Sequence, residues 1–309
     1  MWAINFLNFI FISFILVIVI FGALINFLEP YLPTIIKQSF RYGKMSYKGD
    51  QSRITSLLEI PKSWFKHFYV FSLIWSIAAV ALAARCYLVS LQSAPTVVLW
   101  FLDIVTGSKE RQVEVDSTTC LIAVVLIFLQ CARRWYETHF IQIFSSKSKI
   151  NLSHYLVGYF HYFASITGII ANAEGFVRGS NARPVKITDL NILGIVAVML
   201  FLYSWLQQYL SNLTLVNLRK SKDGKVVTED HLMPQGGWFE DVSSPHMLFE
   251  VLMYVALMLL MPYSVTMRYA ALWVLSNQVE TAWLTHKWYQ QTFGSKYPKR
   301  RKAIFPKIL

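Results

Sequence analysis

The sequence has little charge for its length. Only 15% of its 309 residues are charged, whereas 55% are hydrophobic, and the mean hydropathy is +0.43. Residues 1–28 carry no charged side chain. This composition excludes an ordinary soluble domain and predicts an all-α integral membrane protein. The N-terminal apolar run is too long for the core of a secretory signal, so we expect a retained first span.

Motifs for soluble nucleotide sites and for metals are also missing. There is neither a G-x-G-x-x-G nor a G-x-x-x-x-G-K-[ST] pattern. The three cysteines lie in apolar runs without the spacing of a disulfide or a metal site. His246 and Glu250, one helical turn apart, would make only half of a metal site. The sequence therefore predicts no metal centre.

Seven apolar stretches approach the length of about 20 residues that a bilayer crossing needs. They are residues 4–28, 66–90, 118–140, 152–173, 190–212, 247–262 and 265–286. The shorter run 94–102 is expected to be re-entrant or interfacial. Since no long linker separates domains, we predict a single membrane domain over residues 1–309.

The distribution of basic residues predicts the orientation. In a soluble protein a net charge of +12 would suggest nucleic acid, but here the basic residues gather in the connections between spans. The bilayer, and not nucleic acid, is therefore the expected partner. The first, third and fifth connections and the tail are rich in Lys and Arg, which predicts a lumenal N-terminus and a cytosolic C-terminus. The fourth connection, with Arg178 and Arg183, does not fit this pattern.

Charged residues continue the third predicted span in the stretch CARRWYE. Arg133, Arg134 and Glu137 lie at the membrane boundary, where a charge must be paired or hydrated. Polar clusters at the ends of spans five and seven and before span six fall on the same side. We expect these helix ends to form a basic cavity for a polyanionic ligand from the cytosol. The simpler alternative for each arginine is a snorkelling interfacial side chain.

Three segments together resemble the steroid 5α-reductase family, in its branch that reduces polyprenal. They are RRWYE (133–137), SHY…GYFHY (153–162) and NLRK…PQGGWFEDVSSPHMLFE (217–250), and FRYGK (40–44) fits the same branch. The resemblance covers essentially the whole chain and is most specific over 190–309. It implies a seven-helix membrane fold in the endoplasmic reticulum, with NADPH held near the cytosolic face. The implied reaction reduces the α-isoprene double bond of polyprenal and supplies dolichol for protein N-glycosylation.

The resemblance also implies the site residues. Arg134 and Arg219 would bind cofactor phosphates, for which bidentate guanidinium groups are well suited. Glu59 matches an acidic residue that faces the substrate carbonyl, so Glu59 and His286 are the expected catalytic residues. His246 stands where many members carry an asparagine. The remaining residues expected to line the cofactor cavity are Glu137, Gln208, His246, Glu250, His286 and Tyr289.

The chemistry favours an aldehyde substrate over an alcohol. Hydride addition needs an electron-poor carbon, and the conjugated double bond of an enal provides one, whereas that of an allylic alcohol does not. Two other enzymes stay open as alternatives, a 3-oxo-Δ4-steroid 5α-reductase and a lipid or isoprenylcysteine methyltransferase. The methyltransferase would typically show an Arg-His-Pro motif where this chain has SSPHMLFE. A transporter would place its polar residues near the midplane.

Overall fold

The described part of the chain is mostly helical. The computed structural model describes residues 4–41, 49, 57–145, 148–221 and 223–309, so most of the FRYGK motif lies outside it. A two-stranded antiparallel ladder pairs β1 (Glu59–Pro61) with β2 (Lys149–Asn151). Within these ranges the α-helices are α1 (Phe6–Phe27), α2 (Thr34–Phe40), α3 (Phe65–Ala84), α4 (Thr96–Thr106), α5 (Ser117–Tyr136), α6 (Leu152–Ala171), α7 (Ile192–Asn217), α8 (Pro245–Leu260) and α9 (Val265–Phe293).

Each predicted span coincides with a helix. Four of these helices, α1, α3, α5 and α7, are long and apolar enough to cross a membrane. Helix α8 has only 16 residues, and α6 and α9 are long but less apolar. The run at 94–102 lies largely in α4, whose 11 residues reach about 16 Å, half the thickness of the hydrocarbon layer. A multi-pass membrane protein is thus confirmed, while the count of seven spans and the orientation stay predictions.

Side-chain caps explain where several helices begin. Asn5, Asp116 and Asn191 precede α1, α5 and α7, and each accepts a hydrogen bond from the backbone N–H three residues later at 2.8–3.1 Å. Such caps satisfy N–H groups that have no partner inside the helix. Helix α8 instead starts with Pro245, whose missing N–H costs nothing at the first helical position.

The long helices alternate in direction, so the bundle has two distinct ends. We call the end where α5 terminates in Arg133 and Arg134 the cavity end, and the end where α5 begins at Ser117 the opposite end. Helix α7 packs along α8, α3 along α5, and α9 against both α8 and α1. The core runs through α8, where Phe249 and Leu257 are both 1% exposed. Four helix C-termini therefore meet at the cavity end.

Polar contacts join α1 to α9 along their length. At the cavity end, the Asn26 amide donates to both Glu280 carboxylate oxygens at 2.8 and 3.0 Å. Lys287 Nζ donates to Asn26 Oδ1 at 3.1 Å. At the other end of the pair, Thr266 Oγ1 donates to Asn8 Oδ1 at 2.7 Å. The first and last long helices of the described chain are therefore held to each other.

Ion pairs occupy the opposite end. Asp103 of α4 pairs with Arg111 at 2.9 Å and with Arg178 at 2.6 Å. Arg183 pairs with Glu174 at 2.6 Å. The two arginines that did not fit the predicted orientation are thus balanced by acidic partners.

Candidate active site

Two cavities that share residues lie at the cavity end. The larger, of about 690 Å³, is lined by apolar side chains of α1 and α2 on one side and by Arg134 and Glu250 on the other. The second cavity, of about 320 Å³, lies beside the end of α7. Asn212, His246 and Met247 line both. The two cavities are therefore adjacent, and together they make up what we call the composite cavity, with a larger apolar part and a smaller part lined by Lys62 and Arg219.

Protein groups compensate the charge of Arg134. Its Nη1 forms an ion pair with Glu137, and its Nη2 and Nε donate to Tyr69 Oη at 2.9 and 3.3 Å. Asn212 donates to the same Glu137 oxygen at 3.0 Å. Glu137 is fully buried behind Arg134, whereas Arg134 lines the large cavity. The sequence predicted a ligand as the partner of this arginine. The structure adds Glu137 and Tyr69 as partners from within the protein.

A second polar network reaches Glu250 from α5 and α7. Arg133 donates to the side-chain oxygens of Gln130, at 2.7 Å, and Gln208. Because a guanidinium group can only donate, both amide oxygens must face it, and both amide nitrogens turn to Glu250. Gln130 Nε2 donates to Glu250 Oε2 at 3.1 Å, and Gln208 Nε2 donates to the same oxygen. Arg133 thus orients two amides that hold Glu250 at the cavity wall.

Two cations face the second cavity. Arg219 Nη1 donates to the carbonyl of Ile143 at 3.0 Å and Nε donates to that of Asp230 at 3.2 Å, which orients the guanidinium group. Lys62, just after β1, lines the same cavity. Among the described residues neither cation has a carboxylate side chain within ion-pair distance. A cavity with two such cations suits a phosphate group. No sequence motif marks Lys62, so it is not among the predicted site residues.

His286 lies one layer behind the second cavity, whereas Tyr289 lines it. The imidazole Nδ1 lies 2.6 Å from Ser243 Oγ and 2.9 Å from Tyr297 Oη. Gln290 Nε2 lies 2.9 Å from its Nε2 and can only donate, so the proton of the neutral ring sits on Nδ1. Ser243 lines the cavity, so His286 reaches the cavity through that hydroxyl.

Most, but not all, of the predicted site residues are brought together. Glu59 lies in β1 and pairs with Lys149 at 3.4 Å, and it is not among the residues that line either cavity. Its catalytic role therefore stays a prediction. The predicted residues that line the composite cavity are Arg134, Gln208, Arg219, His246, Glu250 and Tyr289.

Comparison with known proteins assigns the family. Residues 160–309 match the family model described as 3-oxo-5-alpha-steroid 4-dehydrogenase. Over its whole length the chain is 50% identical to a polyprenal reductase of Drosophila melanogaster, and the alignment covers 94% of that protein. The chain belongs to the steroid 5α-reductase family. It is thus an oxidoreductase of a family that acts on carbon–carbon double bonds.

More distant relatives agree with this assignment. The chain is 32% identical to a polyprenal reductase of Caenorhabditis elegans, with 91% of this chain and 89% of that protein covered. It is 30% identical to a human polyprenal reductase, with 88% and 85% covered. The family model spans Gln208, Arg219 and Glu250, whereas Tyr69 and Arg134 lie before it. The steroid 5α-reductase likeness found in the sequence is therefore confirmed.

Proposed function

We propose that this protein reduces the α-isoprene double bond of polyprenal with NADPH, in the membrane of the endoplasmic reticulum, and so supplies dolichol for protein N-glycosylation. The observation that carries the proposal is the composite cavity, which joins an apolar half to a cationic half. A long isoprenoid aldehyde needs an apolar surface, and the phosphate groups of a dinucleotide need cations. The polyprenal reductases among the relatives support the same substrate class.

The residues of the polar half fit NADPH. Its phosphate groups call for several cations, and Arg219, Lys62 and Arg134 all line the composite cavity. Its nicotinamide carboxamide needs a hydrogen-bond acceptor, and Glu250 supplies one at the cavity wall, where Gln208 holds it. We assign Arg219 and Lys62 to phosphate binding and Glu250, positioned by Gln208, to the carboxamide.

The apolar half fits an isoprenoid chain. Its walls come from α1, α2 and α3 and include the rings of Phe14, Phe21, Phe40 and Phe65. Such rings bind methyl-branched chains through apolar contact and ask for no specific polar partner. The reacting enal would lie where this wall meets Arg134, and the rest of the tail would extend between helices toward the bilayer.

Bound NADPH would supply a hydride, which an enal accepts at its electron-poor β-carbon. The protein must keep the enal beside the cofactor and place a hydrogen-bond donor at the carbonyl oxygen, where negative charge develops. One such donor is worth roughly 3–4 kcal/mol. His286 would act as a positioning residue, because its Nδ1 proton orients the Ser243 hydroxyl at the cavity wall.

The proposed orientation places the cavity end in the cytosol, where NADPH would enter. Seven crossings with a lumenal N-terminus bring the C-termini of α1, α5, α7 and α9 to one face. The basic connections and the basic tail follow the positive-inside rule in this orientation. The fourth connection stays an exception, since the acidic partners of Arg178 and Arg183 contribute little to this rule.

The test is NADPH oxidation by the purified protein in detergent. Polyprenal should support oxidation and yield the dihydro aldehyde by mass spectrometry, whereas polyprenol and a 3-oxo-Δ4 steroid should not. NADPH should also raise the melting temperature, and S-adenosylmethionine should not. Faster turnover of the steroid, or protection by S-adenosylmethionine alone, would replace the proposal with one of the two alternatives.

A further inference from the structure

Tyr69 presents a phenol hydroxyl at the wall of the large cavity. It lies on α3, is 9% exposed, and its ring is held by Phe68 at 4.5 Å and Tyr162 at 5.8 Å between centroids. Its oxygen accepts N–H groups from Arg134 at 2.9 and 3.3 Å. A guanidinium group has no acceptor, so these bonds leave the phenol proton unused. No side chain or carbonyl in the described ranges accepts it.

The surroundings of Tyr69 favour negative charge on an oxygen bound to it. The Arg134 guanidinium lies 4.9 Å from the ring centroid and touches the phenol oxygen. Glu137 holds this cation from the far side, so the cation stays in place when the cavity is empty or filled. An oxyanion that accepts the phenol proton would thus lie within the field of a fixed positive charge in a site of low polarity.

Several other polar groups of the large cavity have different surroundings from Tyr69. Trp273 donates its indole N–H to His161 Nδ1 at 3.2 Å, so the neutral ring carries its proton on Nε2. That Nε2 lies 2.7 Å from Tyr254 Oη. Glu250 accepts two amide N–H groups and serves as an acceptor. Tyr162 lines the same cavity, but its oxygen has no hydrogen bond from Arg134.

We infer that Tyr69 is the catalytic donor to the carbonyl oxygen of the enal, an inference that rests on the proposed function. In that step a C–H bond forms at the β-carbon and the C=C π pair shifts toward the carbonyl, so the charge arrives on the oxygen bound to Tyr69. The α-carbon then takes a proton from water, and the C=O bond is restored. One hydride and one proton are added, and Tyr69 ends the step protonated.

The test is Tyr69→Phe, which removes one oxygen atom and keeps the ring. Loss of one oxyanion donor lowers kcat by about 100- to 1,000-fold, and we expect a fall in that range with little change in KM for polyprenal. The dissociation constant of NADPH, measured by tryptophan fluorescence quenching, should change less than about twofold. Tyr155→Phe is the matched control. Its hydroxyl lies 3.1 Å from His67 Nδ1 and 2.8 Å from Tyr159 Oη, outside the cavity, so turnover should not change.

Variants of two other candidate donors to the enal carbonyl complete the test of Tyr69. Glu59→Gln and Tyr162→Phe are assayed beside Tyr69→Phe, and a large fall in kcat for either one with normal turnover in Tyr69→Phe would overturn the inference. A wild-type protein that does not reduce polyprenal would instead refute the proposed function. Should Tyr69→Phe fold poorly, difluorotyrosine at position 69 keeps the size and acidifies the phenol. The basic limb of its pH–kcat profile should then move to lower pH, and an unmoved profile would contradict the role.

Discussion

The two ends of the bundle both bury ion pairs, but at the cavity end two further cations have no carboxylate partner among the described residues. At the opposite end, the Asp103 side chain is 4% exposed and is bound by Arg111 and Arg178. At the cavity end, Arg219 and Lys62 line a cavity of about 320 Å³. A buried charge is costly unless it is paired. The difference indicates that the charges at the opposite end stabilise the fold, while Arg219 and Lys62 at the cavity end are available to bind an anionic ligand.

The largest effect is expected from Asp103→Asn at the opposite end. This change leaves two arginines without a carboxylate, and removal of one partner from a buried pair costs about 3–5 kcal/mol. The apparent melting temperature in detergent should fall markedly, while the folded fraction should keep its NADPH affinity. A loss of cofactor affinity per folded molecule would erase the distinction between the two ends.

Glu240→Gln is the matched control for that experiment. Glu240 also pairs with an arginine, Arg300, at 3.6 Å, but the two side chains are 41% and 72% exposed. An exposed pair of this kind contributes about 0–1 kcal/mol. The melting temperature should therefore change little.

At the cavity end, Arg219→Ala should weaken NADPH binding by more than it lowers stability. A hydrogen bond to a charged group contributes about 1.5–3 kcal/mol, which corresponds to a tenfold to hundredfold rise in the dissociation constant. Lys62→Gln should also weaken NADPH binding. Lys66→Gln is the control and should leave NADPH binding unchanged, because the Lys66 ammonium group lies over the Phe144 ring. Isothermal titration with NADPH and NADH measures both effects. Removal of the cation that contacts the 2′-phosphate should lower the preference for NADPH over NADH. Unchanged affinity for NADPH in Arg219→Ala would show that the connection after α7 is an ordinary positively charged connection and not part of the cofactor site.

A smaller effect is expected from His286→Ala, one layer behind the cavity. Without the Nδ1 proton, Ser243 loses one of its three contacts and keeps those with Tyr297 and the Lys302 carbonyl, and polyprenal turnover should fall by at least about tenfold, or about 1.4 kcal/mol. Turnover is measured at saturating NADPH after a check that the variant folds. His286→Asn, whose amide can donate to Ser243, should recover part of the loss. Wild-type turnover in His286→Ala would remove this residue from the site.

The opposite end should also respond to acid. Burial alone would raise the pKa of Asp103, but the hydrogen bonds and charges of Arg178 and Arg111 outweigh burial and hold the pKa below its ordinary value. The stability from this carboxylate is therefore fully present above the ordinary pKa of about 4 and is lost as pH falls through the lower folded value. Melting temperatures between about pH 3 and 6 should fall less steeply in Asp103→Asn than in the wild type. If the melting temperatures of the wild type and of Asp103→Asn fall in parallel, the ion pairs of Asp103 do not respond to pH in this range.

The last prediction is the absence of a modification: neither of the two N-glycosylation sequons should carry a glycan. Asn151 is 4% exposed and caps α6 through a bond from the Ser153 N–H, and Asn212 donates to Glu137 at the cavity. Both lie at the cavity end, which we place in the cytosol, so neither should carry a glycan despite the N-x-[ST] pattern. A mass shift on endoglycosidase treatment would reverse the proposed orientation.

The helices could be predicted because apolar length is a local property of the sequence. All seven predicted spans coincide with helices. The ion pairs of Glu137 with Arg133 and Arg134 were not predicted, although the residues stand at the helical spacings i, i+4 and i, i+3. Positions near the cavity, such as Gln208 and Glu250, followed from the family resemblance. In both cases the signal needs no knowledge of how distant helices pack.

The missed residues depend on packing between helices. Tyr69 and Gln130 look like ordinary polar positions of apolar helices until α3 and α5 are placed side by side. Similarly, the pairing of Arg178 with Asp103 was not predicted, because the two residues are 75 positions apart in the sequence. Periodicity and the positive-inside rule contain no information about such distant pairs.

The bonds between α1 and α9 have a consequence for how the protein is made. Helix α1 enters the membrane when most of the chain has not been translated, and its Asn26 then has no Glu280 to bind. Asn26 must therefore stay without this partner until α9 has been made. Since both helices line the large cavity, the cavity can be completed only at this last stage of synthesis. A chain that ends before α9 would lack that wall of the cavity.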